Sequence, residues 1–101
     1  MFSSNMTYKE ITLAHKVTEF FGLFGYNLFE KTTNRRLIEA RQVYMFLLKQ
    51  IRGKRNFEIA KIMGCDHATV HYSINRIHGL FYSKDKKIYD FINEIINEKN
   101  E

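Results

Sequence analysis

The chain has 101 residues, 45% hydrophobic and 15% aromatic, with 16 Lys and Arg against 11 Asp and Glu for a net charge of +5. That is room for one small domain with enough apolar mass for a core, which excludes disorder as a description of the whole chain. A single cysteine excludes an internal disulfide framework and fits a reducing compartment, and the absence of proline favours long helices over a turn-rich β fold.

In chain order, Thr7 is an N-cap residue type and opens a first helix from Tyr8 to Phe21, with Ile11, Ala14, Val17 or Thr18, and Phe21 at helical spacing. Gly22 and Gly25 break that pattern, and Tyr26 to Lys31 is expected to form a short turn with Phe20, Phe21, Phe24 and Phe29 packed around it. Asn34 caps a second helix that runs to Arg52 and stops at Gly53; it is apolar nearly all round and should be the buried centre, with Arg35, Arg36 and Arg41 reaching solvent. A short third helix follows from Asn56, read as its N-cap, to Met63, with Phe57, Ala60 and Met63 inward. Gly64-Cys65 turns the chain, and Asp66 caps a fourth helix to Tyr82. Short helix, tight turn and longer helix, over about 56–82, read as a helix-turn-helix. A fifth helix starts at Ser83 or Asp85 and ends near Asn97, with Ile88, Ile92, Ile95 and Ile96 inward. The expected architecture is all-α, one domain of about five helices over 1–101, with loose ends at 1–7 and 98–101.

Charge is concentrated in the middle. Residues 31–87 carry 13 Lys and Arg against Glu39, Glu58, Asp66 and Asp85, a net of +9, while both ends are mildly acidic. Such a distribution suits a polyanion. On a helical wheel Val70, Ile74, Ile77 and Phe81 form one narrow apolar stripe that must face the core. The other side holds Ala68, Tyr72, Asn75, Arg76 and Gly79, flanked by Thr69 and His71. A major groove about 12 Å wide admits a helix with such a face. His67 can donate to a purine N7, Asp66 can accept from a cytosine amine, and Thr69 offers a methyl and a hydroxyl to base edges. Arg76 and Asn75 suit phosphates or flanking bases.

The segment from Met63 to Ser73, reading Met-Gly-Cys-Asp-His-Ala-Thr-Val-His-Tyr-Ser, resembles the signature of the C-terminal DNA-binding domain of the bacterial chromosomal replication initiator DnaA. Arg35 to Met45 is similar to that family's basic-loop-to-helix segment, with Ala40-Arg41-Gln42 opening the long helix. Glu19 to Gly22 and Leu28 to Lys31 are similar to its entry helix and turn. The likeness covers roughly 10–97. It implies a Trp-repressor-like helix-turn-helix on double-stranded DNA, with the recognition helix in the major groove and a basic loop in the neighbouring minor groove. It implies base contacts from Asp66, His67, Ala68 and Thr69. Backbone or flanking contacts are expected from Lys31, Arg35, Arg36, Arg41, Gln42, Tyr72, Asn75 and Arg76.

The chain departs from the family pattern at three places. Ala68 stands where a hydroxyl residue is usual, Thr33 stands where the minor-groove loop usually carries arginine, and the turn before Asp66 is one residue shorter. No counterpart of the initiator's ATPase is present: the only Gly-Lys pair is Gly53-Lys54, and Leu48 occupies the position of the first P-loop glycine, so no nucleotide or other cofactor is expected. The start at Met1 reads as that of a complete small protein.

Other chemistries have weaker support. His67 and His71 are spaced to share a metal, but no fourth ligand joins them and Cys65. Cys65 with His67 lacks the third group a nucleophile pair needs, and no motif suggests an enzyme. The longest apolar run, Val43 to Leu48, is far short of the roughly 20 residues that span a bilayer, and no secretion signal is evident, so a cytoplasmic, nucleoid-associated protein is expected. The reading is sequence-specific duplex binding in replication initiation or transcription control. The alternative is a protein-interaction module that keeps the same fold and contacts a replication factor.

Overall fold

The computed structural model describes residues 7–24, 26–83 and 85–99. Five helices follow one another: α1 (Tyr8–Phe20), α2 (Arg35–Arg52), α3 (Asn56–Met63), α4 (His67–Tyr82) and α5 (Lys86–Lys99). Among the described residues there is no strand, so the architecture is all-α.

Local chemistry sets the helix ends. At α1, Thr7 Oγ1 accepts from the Glu10 amide and Glu10 Oε1 accepts from the Thr7 amide, a reciprocal box that satisfies two otherwise orphaned donors. At α2, Asn34 Oδ1 accepts from the Arg36 and Leu37 amides, and Gly53 closes the other end in the left-handed region at φ 65°. The cap of α3 is Arg55 rather than Asn56: Glu58 Oε1 accepts from the Arg55 amide at 2.9 Å, while the Asn56 carboxamide oxygen accepts from Lys49 Nζ at 2.7 Å. Asp85 opens α5, its side chain accepting from the Ile88 amide.

α2 is the hub. Every residue from Ala40 to Leu48 is buried, because α1, α3, α4 and α5 all pack around this helix, α4 most extensively. Val70, Ile74 and Ile77 of α4 meet it, and Ser73 is also fully buried there, a small side chain that lets the two helices approach. Ile88, Phe91, Ile92 and Ile95 of α5 close the core, with Ile96 partly buried against it.

Three aromatic expectations are corrected. Phe57 is 51% exposed; the inner stripe of α3 is Ile59, Ala60 and Met63, and Phe57 lies two residues before Ile59, on the far side of the helix. Phe24 is 74% exposed in the connection after α1, where Leu23 and Leu28 are the buried anchors. Phe20 stays partly exposed, stacked on Phe91 with centroids 4.1 Å apart. At the ends, Thr7 caps α1, Glu98 pairs with Lys16 at 2.8 Å and α5 runs to Lys99. Of the ends expected to be loose, residues 1–6 and 100–101 lie outside the described residues, as does Gly25.

Candidate nucleic-acid interface

The helix-turn-helix is built around one tight turn. Gly64 takes φ 65°, which a residue with a Cβ adopts only under strain, and the Cys65 amide donates back to the Ala60 carbonyl at 3.1 Å. The backbone then extends at Asp66, whose Oδ1 accepts from the Thr69 amide at 2.7 Å and so starts α4. The bonds that Thr69 donates, aided by the charges of Lys31 and His67, hold the Asp66 carboxyl below its ordinary pKa. One carboxylate oxygen is therefore engaged as a cap.

With the apolar stripe of α4 turned inward, His67, Ala68, Thr69, His71, Tyr72, Asn75, Arg76 and Gly79 are all exposed. Tyr72 stands 64% exposed, and the Asn75 side-chain nitrogen lies 3.1 Å from His71 Nε2. The face offers hydrogen-bonding and small side chains on a rigid element. A groove of about 310 Å³ lies elsewhere, lined by residues of α1, the end of α2 and α5, and none of the candidate residues contributes to it.

The basic residues fall into two groups. Lys31 and Arg35 are exposed, Lys31 near enough to the turn to act electrostatically on Asp66 and Cys65. Arg36 is partly committed: its Nε and Nη2 donate to the Phe21 carbonyl, and its guanidinium lies 5.8 Å from the Phe21 ring centroid. Arg41 does not reach solvent as expected. It is 7% exposed, and its Nη1 donates to the carbonyls of Leu28 at 2.9 Å and Glu30 at 2.6 Å while Nη2 lies 3.5 Å from that of Met63. Burial pulls its pKa below the ordinary value. The physical reason is the packing of α2 on all sides: from a central helix, an arginine long enough to reach the surface instead ties the 28–30 connection and the end of α3 to the core. Gln42 is likewise buried, at 8% exposure, and its Oε1 accepts from Arg76 Nη1 at 3.0 Å. Arg76 Nη2 also pairs with Glu39 Oε2 at 3.3 Å, so this cation is bridged to α2.

Glu39 escaped the sequence reading as a site residue. Its signal was available, because it is the only carboxylate between residues 31 and 57, a stretch dense in lysine and arginine. Arg55, the cap of α3, and Lys61 on that helix are further exposed cations not singled out from sequence. Among the described residues, no three His, Cys, Asp or Glu side chains are grouped to hold a metal ion, and no helix is long and apolar enough to cross a membrane.

A central buried helix carrying a short helix, a glycine turn and a second helix with a polar outer face defines an all-α DNA-binding domain of the helix-turn-helix class. More narrowly, residues 10–77 match the family model of the bacterial dnaA protein helix-turn-helix, and the chain belongs to that family. It is 38% identical over 82 residues to the chromosomal replication initiator protein DnaA of Anaplasma marginale (strain St. Maries), covering 80% of this chain and 17% of that relative. The initiator protein DnaA of Borreliella afzelii (strain PKo) is 35% identical over 91 residues, covering 89% of this chain and 16% of its own. That of Ehrlichia ruminantium (strain Gardel) is 36% identical over 90 residues, covering 85% and 19%. The chain thus spans less than a fifth of the length of these curated relatives.

Proposed function

We propose that this chain binds double-stranded DNA sequence-specifically, and that by occupying short boxes it acts in replication initiation or transcription control at the nucleoid. The observation that carries this reading is the outer face of α4: polar or small from His67 to Gly79, started by the Asp66 cap, with the exposed cation Lys31 close enough to act on that cap. Pressed into a major groove, the first turn of α4 presents His67 and Thr69 to base edges and the Ala68 methyl to a thymine methyl; the Asp66 carboxylate, which also accepts from Thr69, accepts from a cytosine amine. Lys31 and Arg35 hold phosphates, with Arg36, Tyr72 and Asn75 along the flanks. Arg41 acts at one remove, by fixing the connection that carries Lys31. This exposed face, which lines no part of the groove between α1 and α5, suits a macromolecule better than a small ligand, which is bound in concave sites.

Selection of bound duplexes from a randomised library at moderate salt tests the reading. Enrichment of one short box, with affinity that falls steeply as salt rises, is the expected result. Binding that enriches no box contradicts sequence specificity. Failure to shift any duplex at low salt, together with capture of a replication protein, would establish the interaction-module alternative instead.

A further inference from the structure

We propose that Glu39 is a built-in restraint on duplex binding: it holds the Arg76 guanidinium on the protein and thereby lowers affinity for arbitrary DNA. The inference rests on the duplex-binding reading of the α4 face. Arg76 belongs to that exposed face, yet its two terminal nitrogens are directed at α2, one to Gln42 Oε1 at 3.0 Å and the other to Glu39 Oε2 at 3.3 Å. Gln42 is buried and fixed, whereas the Glu39 and Arg76 side chains remain 36% and 38% exposed. The bridge is therefore accessible to solvent and open to competition from a phosphate.

Position makes Glu39 consequential. It lies one helical turn beyond Arg35 and Arg36, and Arg76 lies two turns beyond Thr69 on α4, about 10 Å along the axis. A carboxylate there sits within about one Debye length of the phosphates that such a helix would straddle. It acts through one route: it offers Arg76 an internal partner that a phosphate must displace. Base contacts at the start of α4 do not involve Glu39, so the restraint weighs on sequence-independent attraction. Glu39 is here the positioning residue, and the Arg76 cation is released only against competition.

Glu39→Gln tests this, because it keeps the side chain's size and hydrogen-bonding capacity but removes its charge. Fluorescence anisotropy on a labelled 20-base-pair duplex of randomised sequence is measured for the wild type, Glu39→Gln, Arg76→Gln and the double variant, from low to moderate salt. Glu39→Gln is expected to tighten binding by about threefold to tenfold at low salt and to steepen the log–log salt slope by about 0.9, one further phosphate contact. In the Arg76→Gln background the tightening should shrink to under about twofold, since the released cation is then absent. Circular dichroism checks that each variant keeps its helix content. Equal affinity of wild type and Glu39→Gln overturns the proposal, as does a loss of affinity in a folded Glu39→Gln, or a tightening undiminished without Arg76. A flat titration for the wild type itself is a different outcome and refutes the duplex-binding reading.

Discussion

Replacing Arg41 with alanine separates two accounts of that residue. As a surface cation it would weaken binding to every duplex and leave the fold alone. As a buried clamp it should cost stability first. The structure gives the size of the effect. Two well-formed charge-assisted bonds, to the carbonyls of Leu28 and Glu30, disappear together with a weaker one to Met63. Bonds to charged groups contribute about 1.5–3 kcal/mol each, and release of the arginine's rotamers returns up to about 2 kcal/mol, so a net loss of roughly 2–4 kcal/mol is expected. For a domain of this length that corresponds to a melting temperature lower by about 10–25 °C. Urea unfolding followed by far-ultraviolet circular dichroism reads it as a fall in midpoint of about 1–3 M. Arg41→Lys should recover only part, since an ammonium keeps the charge but lacks the fork that spans separate carbonyls. A variant within about 0.5 kcal/mol of wild-type stability that nonetheless loses duplex affinity would falsify the buried-clamp account.

Three further outcomes follow from the structure. Burial pushes the Glu10 carboxyl pKa up, but the Thr7 amide and the charges of Lys54 and Arg52 outweigh this and leave it below the ordinary 4.5. A lowered folded-state pKa contributes stability above the unfolded value and loses it as pH falls through the folded one. The urea midpoint should therefore drop as pH falls below about 4.5, and drop less in Glu10→Gln; identical pH slopes for the two proteins would contradict the assignment. Gly64→Ala should cost about 1–2 kcal/mol through backbone strain alone, because a Cβ there meets nothing within 4 Å while φ stays at 65°. A neutral result in thermal melts would show that the turn can relax. His67→Ala or Thr69→Ala should erode discrimination between the enriched box and random duplex by roughly 1–3 kcal/mol per lost contact, and equal losses on both duplexes would argue against base reading.

Much of the fold was legible because its punctuation is chemical. Thr7, Asn34, Gly53, Gly64 and Asp66 mark ends that hydrogen bonding or a left-handed backbone demands, and the structure has caps or turns at each. The period of Val70, Ile74 and Ile77 announced the buried side of α4, and hence its exposed one. What sequence could not show was the competition for long side chains. An arginine near the start of a helix reads as a surface cation until the surrounding helices are known, and Arg41 is enclosed by elements far from it in sequence. Helical spacing with Ala60 and Met63 points Phe57 inward, but the inner stripe of the short α3 is Ile59, Ala60 and Met63, and in the connection after α1 Leu23 and Leu28 take the core places that Phe24 does not. The Arg76 bridge joins residues 34 and 37 positions apart, a pairing that no local spacing encodes.

The central claim is that the outer face of α4 and the adjoining 31–36 stretch meet a duplex. Backbone amide shifts in a ¹⁵N-labelled sample, followed while the enriched duplex is titrated in, test it most directly. The largest changes should fall on residues 31–36 and 66–76, with little movement around Leu13, Lys16 and Ile95 in the groove between α1 and α5. Changes centred on that groove, with 66–76 undisturbed, would show that DNA or any other partner is met by a different surface.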